Sequence, residues 1–173
     1  FKAAQPLEDR YYFSVEGFYR YQYLKSQYTD DLAVYNREHG TDYNHWDQVH
    51  LDRRLPSGTG RTDLEREDWQ EFTRTIVSLL WVRIDKDAAS VYQQYLAAKY
   101  RDISVLNAKY ETDYARFDEV SFPSACPPQG LPASDWDTFL QGWEDPDSGA
   151  AFAAPASAIY IHSVDFQFRD YLQ

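Results

Sequence analysis

The chain has 173 residues, a length that suits one ordinary domain or two small units sharing a core. With 43% hydrophobic residues but a mean hydropathy of −0.68, burial must be carried by rings with polar tips, 15 Tyr, 10 Phe and 5 Trp, which excludes disorder as the general state. A formal charge of −11 with no cluster of Lys and Arg opposes binding to nucleic acid or anionic lipid, and no apolar run approaches the ~18 residues of a membrane span.

In chain order, the alternation in RYYFSVE (residues 10–16) predicts a short strand. VEGFYRYQYLKSQY (15–28) then places Tyr21, Leu24 and Tyr28 at helical spacing, and DDLAVYNREHG predicts a shorter helix opened by an acidic residue and stopped at Gly40 in a left-handed conformation. Thr-Asp-Tyr, ending at Tyr43, and Trp46 turn the chain into a Pro-containing connector. DLEREDWQEFTRTIVSLLW (63–81) predicts one long helix with Trp69, Phe72, Ile76 and Leu79 or Leu80 on one side. LLWVRID (79–85) reads as a second short strand.

From there the pattern recurs. KDAASVYQQYLAAKY (86–100) is a helix with Asp87 as its candidate cap, and RDISVLNAKYE a shorter one whose final Glu111 lacks the freedom of Gly40, so this copy is expected to end its helix differently. NREHGTDYNHWDQV (36–49) and NAKYETDYARFDEV (107–120) share Asn, Thr-Asp-Tyr, an aromatic, Asp and Val at identical spacing, 71 residues apart. Upstream, Tyr28 answers to Tyr100, with one extra residue before Asn36 in the first copy; downstream, DWQEF answers to DWDTF. AIYIHSVD (158–165) predicts a third strand, and Tyr171-Leu172 near the C-terminus stands where Tyr95-Leu96 stands.

These matches predict a mainly α fold with short strands (α+β): repeat module 1 over residues 1–84, module 2 over 85–163, and the start of a third module or a C-terminal cap over 164–173. The residues expected to repeat a structural role are Tyr28, Asn36, Tyr43, Trp46, Asp47 and Trp69 in the first copy, and Tyr100, Asn107, Tyr114, Phe117, Asp118 and Trp136 in the second. Trp46 with Phe117, and Trp69 with Trp136, read as core; Asp47 and Asp118 as carboxylates bonded to a turn amide. Met is absent, so Phe1 reads as a processed terminus or the cut edge of a larger protein.

Laid out as Tyr-Leu, Tyr, Leu or Tyr before Asn, Thr-Asp-Tyr, an aromatic and Asp-Glu-Val, over about two thirds of the chain, each copy resembles the tandem helical modules inserted in the extracytoplasmic part of bacterial sugar ABC-transporter permeases. It is also similar to an accessory helical segment of β-galactosidase-type glycoside hydrolases. Those segments are expected to carry Gly where this chain has Thr29, Arg101 and Glu111, and Leu where it has Tyr35. The resemblance implies a structural module, no catalytic residue and no cofactor. It also implies a periplasmic or extracellular setting, tethered to a membrane through parts outside this chain.

Candidate chemistry is sparse. Asp118 with Glu119, and Asp135 with Asp137, could form acid and base pairs but read as caps or solvated faces in a chain with 28 carboxylates. Asp145 and Asp147 in DPDSG start like a calcium loop and lack its later Glu, so a turn is favoured and calcium is the weak alternative. His45 and His50 flank WDQV, but the second copy has Arg116 and Ser121 there, which favours surface histidines over a metal pair. The lone Cys126 reads as a loop thiol, without a disulfide or Cys-based zinc site. Trp143, Tyr11 and Tyr12 have no repeated counterpart and are the candidate sugar-stacking or partner-contact rings. The expected function is a non-catalytic scaffold contacting protein subunits of a membrane assembly. The alternatives are a carbohydrate-binding accessory that takes oligosaccharide, and a subunit of a bacterial envelope or filament complex.

Overall fold

The computed structural model describes residues 2–4 and 13–173, so Tyr11, Tyr12 and most of the strand expected at 10–16 lie outside it. From Ser14 onward that segment is helical, because the Ser14 hydroxyl accepts the Gly17 amide and starts a helix at Val15. Seven helices dominate the described residues: α1 (15–27), α2 (Leu32–His39), α3 (63–76), α4 (Ala89–Tyr100), α5 (Ile103–Tyr110), α6 (Gly130–Gln141) and α7 (Val164–Leu172). The strands are short, β1 (Val82–Ile84), β2 (Trp143–Glu144), β3 (Ala151–Phe152) and β4 (Ile159–Ile161), paired β1 with β4 and β2 with β3. The fold is therefore mainly helical with two-stranded sheets.

The chain divides into two compact units, residues 1–77 with 161–173, and residues 78–160. In the first, Phe72 of α3 packs its ring 4.8 Å from Tyr19 and 5.4 Å from Tyr23 of α1, centroid to centroid. In the second, Phe139 of α6 lies 5.2 Å from Tyr92 and 5.7 Å from Tyr95 of α4. Both cores are ring against ring, as the composition requires.

Helix ends obey sequence chemistry closely. Asp31 caps α2 through the Ala33 amide and Asp102 caps α5 through the Ser104 amide. Gly40 ends α2 at φ 66 and ψ 32, and Glu111 ends α5 at φ 57 and ψ 48, so the second helix stops as the first does, contrary to expectation. The next residue enforces the stop in both helices. The Thr41 and Thr112 amides reach back to the Asn36 and Asn107 carbonyls at 2.9 and 3.1 Å, the six-to-one bond of a Schellman turn.

Two further expectations are corrected. Asp87 is exposed within a 3-10 turn (Lys86–Ala88) and caps nothing; α4 begins after Ala88 without a side-chain cap. α3 stops at Ile76 instead of running to Trp81, since its last turn widens and closes with the Val77 amide on the Phe72 carbonyl at 2.9 Å. The Thr73 and Thr75 hydroxyls bond the Trp69 and Glu71 carbonyls there, competing with the regular ladder. The wider turn rotates the apolar face, burying Thr73 and Val77 while Ile76 is left 41% exposed and Leu80 64%.

Candidate functional site

Each unit buries one carboxylate just ahead of a buried tryptophan. Trp69 and Trp136 are fixed by indole N–H bonds to the Asp52 and Pro123 carbonyls at 2.8 and 2.9 Å, which orients the preceding residue inward. Asp135, 1% exposed, accepts Tyr100 OH and Tyr110 OH, each at 2.6 Å, and the Lys99 ammonium at 2.6 Å. Asp68 accepts Tyr28 OH at 2.7 Å and has His39 Nε2 at 3.2 Å, with Tyr28 OH and His39 Nε2 also 2.9 Å apart. His39 is itself buried, and its Nδ1 has no hydrogen-bond partner.

A buried carboxylate must be paired or saturated with donors, and these are. Burial, reinforced by the neighbouring carboxylates, pushes the hydroxyls of Tyr28, Tyr100 and Tyr110 well above the ordinary tyrosine range, so they serve as fixed donors. With Asp68 7% and Asp135 1% exposed, the arrangement acts as a polar clamp between helices. Sequence reading missed the clamps, although their signal was present as Asp before Trp at matched places, with His39 and Tyr110 separated by the same 71 residues as the flanking motif.

A second set of contacts recurs around Asn36 and Asn107. Each side-chain Nδ2 donates to a carbonyl, Tyr43 O or Tyr114 O, at 2.8 Å, and each Oδ1 accepts a Thr hydroxyl and a Tyr amide, from Thr41 and Tyr43 or from Thr112 and Tyr114. Asp47 and Asp118, expected to hold the turn amides, do not. Asp47 accepts Tyr21 OH and Arg20, and Asp118 faces Arg116 at 3.3 Å, while the neighbouring Gln48 and Glu119 side chains reach the turn amides of Asn44, His45 and Ala115. The longer side chain spans the turn and leaves the Asp to a surface partner. Of the expected core rings Trp69 and Trp136 are fully buried, but Trp46 and Phe117 only half.

The remaining candidates are scattered. Asp137 accepts Gln141 Nε2 at 2.9 Å on the face away from the clamp, so Asp135 and Asp137 form no acid and base pair. His50 Nδ1 lies 3.2 Å from Glu16, His45 is exposed, and among the described residues no group of His, Cys, Asp or Glu is arranged to hold a metal. In DPDSG the Arg101 guanidinium sits where a cation would, 2.5 Å from Asp145 and 2.8 Å from Asp147. Trp143 is half-buried and meets Tyr95 edge to face, with centroids 5.5 Å apart. Cys126 borders an open apolar groove of about 440 Å³ with Leu79, Leu80 and Pro127, and partial burial pushes its thiol pKa up, which opposes a thiolate nucleophile. No family model, no curated protein and no solved structure matches the chain.

Proposed function

We propose that the chain is a non-catalytic, extracytoplasmic scaffold made of two copies of one helical module, and that it works by contact with protein subunits of a membrane-associated assembly such as a sugar-transport permease. The observation that carries this reading is the double clamp. The same tyrosine, carboxylate, indole and asparagine contacts are built in both units from residues that the sequence writes twice. A reactive constellation is needed once, whereas a clamp that sets helix packing is needed in every copy. The expected Gly positions of the resembling segments also support it, since Thr29, Arg101 and Glu111 all carry positive φ, at 57, 63 and 57.

The test is to tag the full-length protein in its native cell and purify it from detergent-solubilised membranes and from the soluble fraction. Recovery from the membrane fraction in fixed stoichiometry with integral membrane subunits is the expected result. Recovery as an unaccompanied soluble protein would overturn the reading. Isothermal titration of the isolated chain with an oligosaccharide panel separates the accessory alternative: heat at millimolar sugar would favour it, and none is expected.

A further inference from the structure

The second unit carries an element that the described part of the first lacks. Between α6 and β4 the chain makes the β2–β3 hairpin, held by a ladder of two residue pairs, Trp143 with Phe152 and Glu144 with Ala151. Gly142, where α6 ends, has φ 108, a conformation that favours glycine and suits a hinge. The hairpin tip, 146–150, is exposed throughout. Its underside is apolar: β3 packs on α4, and the Trp143 ring stands over Tyr95, which is 0% exposed.

The tip is tied down from a strained residue. Arg101 has φ 63 and ψ −38, and the Asp102 amide bonds the Tyr100 carbonyl across it at 2.7 Å, the geometry of a γ-turn of the positive-φ kind, which is rare for any residue with a side chain. That unfavourable backbone aims the guanidinium 44 residues along the chain, at Asp145, and at Asp147 beyond it. Asp145 makes its remaining side-chain contacts inside the loop, to the Asp147 amide and the Ser148 hydroxyl, so Arg101 fastens the tip to the body of the unit. Arg101 beside it, helped by Ser148, holds the Asp145 carboxyl down at about 2. In the first unit the corresponding turn is Thr29-Asp30, both left-handed, and Asp30 pairs locally with Lys25. Strain at a non-glycine residue persists where something else stabilises it, and here that is an ionic contact to a removable element.

We propose that the β2–β3 hairpin is a flap over the ring of Tyr95, latched shut by Arg101, and that releasing the latch separates the Trp143 ring on the flap from the Tyr95 ring beneath it and bares both while the helices stay folded. The guanidinium is half exposed and Asp147 lies in solvent, so that arm of the latch is sensitive to ionic strength, with a Debye length of about 3 Å at 1 M salt, whereas the arm to Asp145, only 2% exposed, is screened much less.

Hydrogen exchange on the whole chain tests this, in wild type, Arg101→Gln, Arg101→Gly and Asp145→Asn, at low salt and with added NaCl. In all three variants the amides of 143–152 should exchange about tenfold faster than in wild type, with those of α4 and α6 unchanged, the signature of a local opening. Added salt, which screens the exposed Asp147 arm, should bring wild type part of the way toward the variants and leave them as they are. Arg101→Gly relieves the γ-turn yet removes the latch, so it separates the two contributions. Unchanged hairpin exchange in the variants would overturn the proposal, because packing alone would then hold the flap. Acceleration spread equally over α4 and α6 would overturn it too, since Arg101 would then act on the stability of the whole unit.

Discussion

Gly40 and Glu111 close corresponding helices with nearly the same left-handed backbone, φ 66 and 57, although only one of them lacks a Cβ. The left-handed region costs an ordinary L-residue about 1–2 kcal/mol, part of which glycine gives back through the entropy of its unfolded chain. Glu111 is exposed, so no packing offsets its strain. Glu111→Gly should therefore raise stability by about 0.5–1 kcal/mol, a gain of a few degrees in Tm, whereas Gly40→Ala should lower it by about 1 kcal/mol. Differential scanning calorimetry of the two variants checks both signs. The buried tyrosines set a second expectation. Burial, and in several cases a neighbouring carboxylate, raises Tyr23, Tyr28, Tyr35, Tyr92, Tyr95, Tyr100 and Tyr110 far above the ordinary value of 10.0. A hydroxyl that binds its proton more tightly when folded contributes stability that is complete below the unfolded pKa and is lost as pH rises above it. Stability should hold through neutral pH and fall steeply above about pH 10, with the phenolate absorbance of these rings appearing together with unfolding. Tyr110→Phe should flatten that fall. Smooth phenolate titration in a chain that stays helical would show that the rings are accessible.

Among the elements, α3 has the most complete start: Thr62 Oγ1 accepts the Glu65 amide at 3.1 Å and Glu65 accepts the Thr62 amide at 3.0 Å, a reciprocal capping box. Because this helix carries Asp68, Trp69 and Phe72 into the core, Thr62→Ala should cost about 1 kcal/mol. The loss should be read in a lowered denaturation midpoint with an unchanged m-value, and Thr62→Ser should restore most of it. The helices were legible in the sequence wherever ring periodicity and a capping Asp coincided, as at Asp31 and Asp102. The end of α3 was not. A 3.6-residue period of apolar residues continues through Ile76 to Leu80, while the widened turn at residues 72–76 depends on Thr73 and Thr75 bonding backwards, which periodicity does not register. The clamps were half legible. Asp-Trp could be matched between the copies, but that Asp68 and Asp135 point inward results from the indole bonds to Asp52 and Pro123, whose connectors differ in length and sequence. Trp143 looked unpaired because its partner Tyr95 sits on a helix far back in the chain.

At the scale of the whole molecule, the first unit is assembled from both ends of the described chain, and the second from one continuous stretch. Asp165, in the first turn of α7, accepts the Val15 amide at 3.0 Å and so satisfies a donor at the start of α1. Phe166 is buried to 7% exposure beside it, and the Ile161 amide bonds the Arg53 carbonyl at 2.8 Å. Two ion pairs join the same surfaces, Arg53 with Asp170 and Arg169 with Glu16 at 2.8 and 2.7 Å, but each has a partner that is about half exposed, so they add little. The closure therefore rests on the burial of the Phe166 ring and on the Val15 amide held by Asp165. Phe166→Ala should destabilise the first unit by about 3 kcal/mol and Asp165→Ala by about 1 kcal/mol, whereas Asp170→Asn should change stability by less than about 0.5 kcal/mol. Hydrogen exchange locates the effect: amides of α1 and α3 should lose protection in Phe166→Ala before those of α4 and α6. Loss of protection first in α4 and α6 would mean that α7 does not close the first unit.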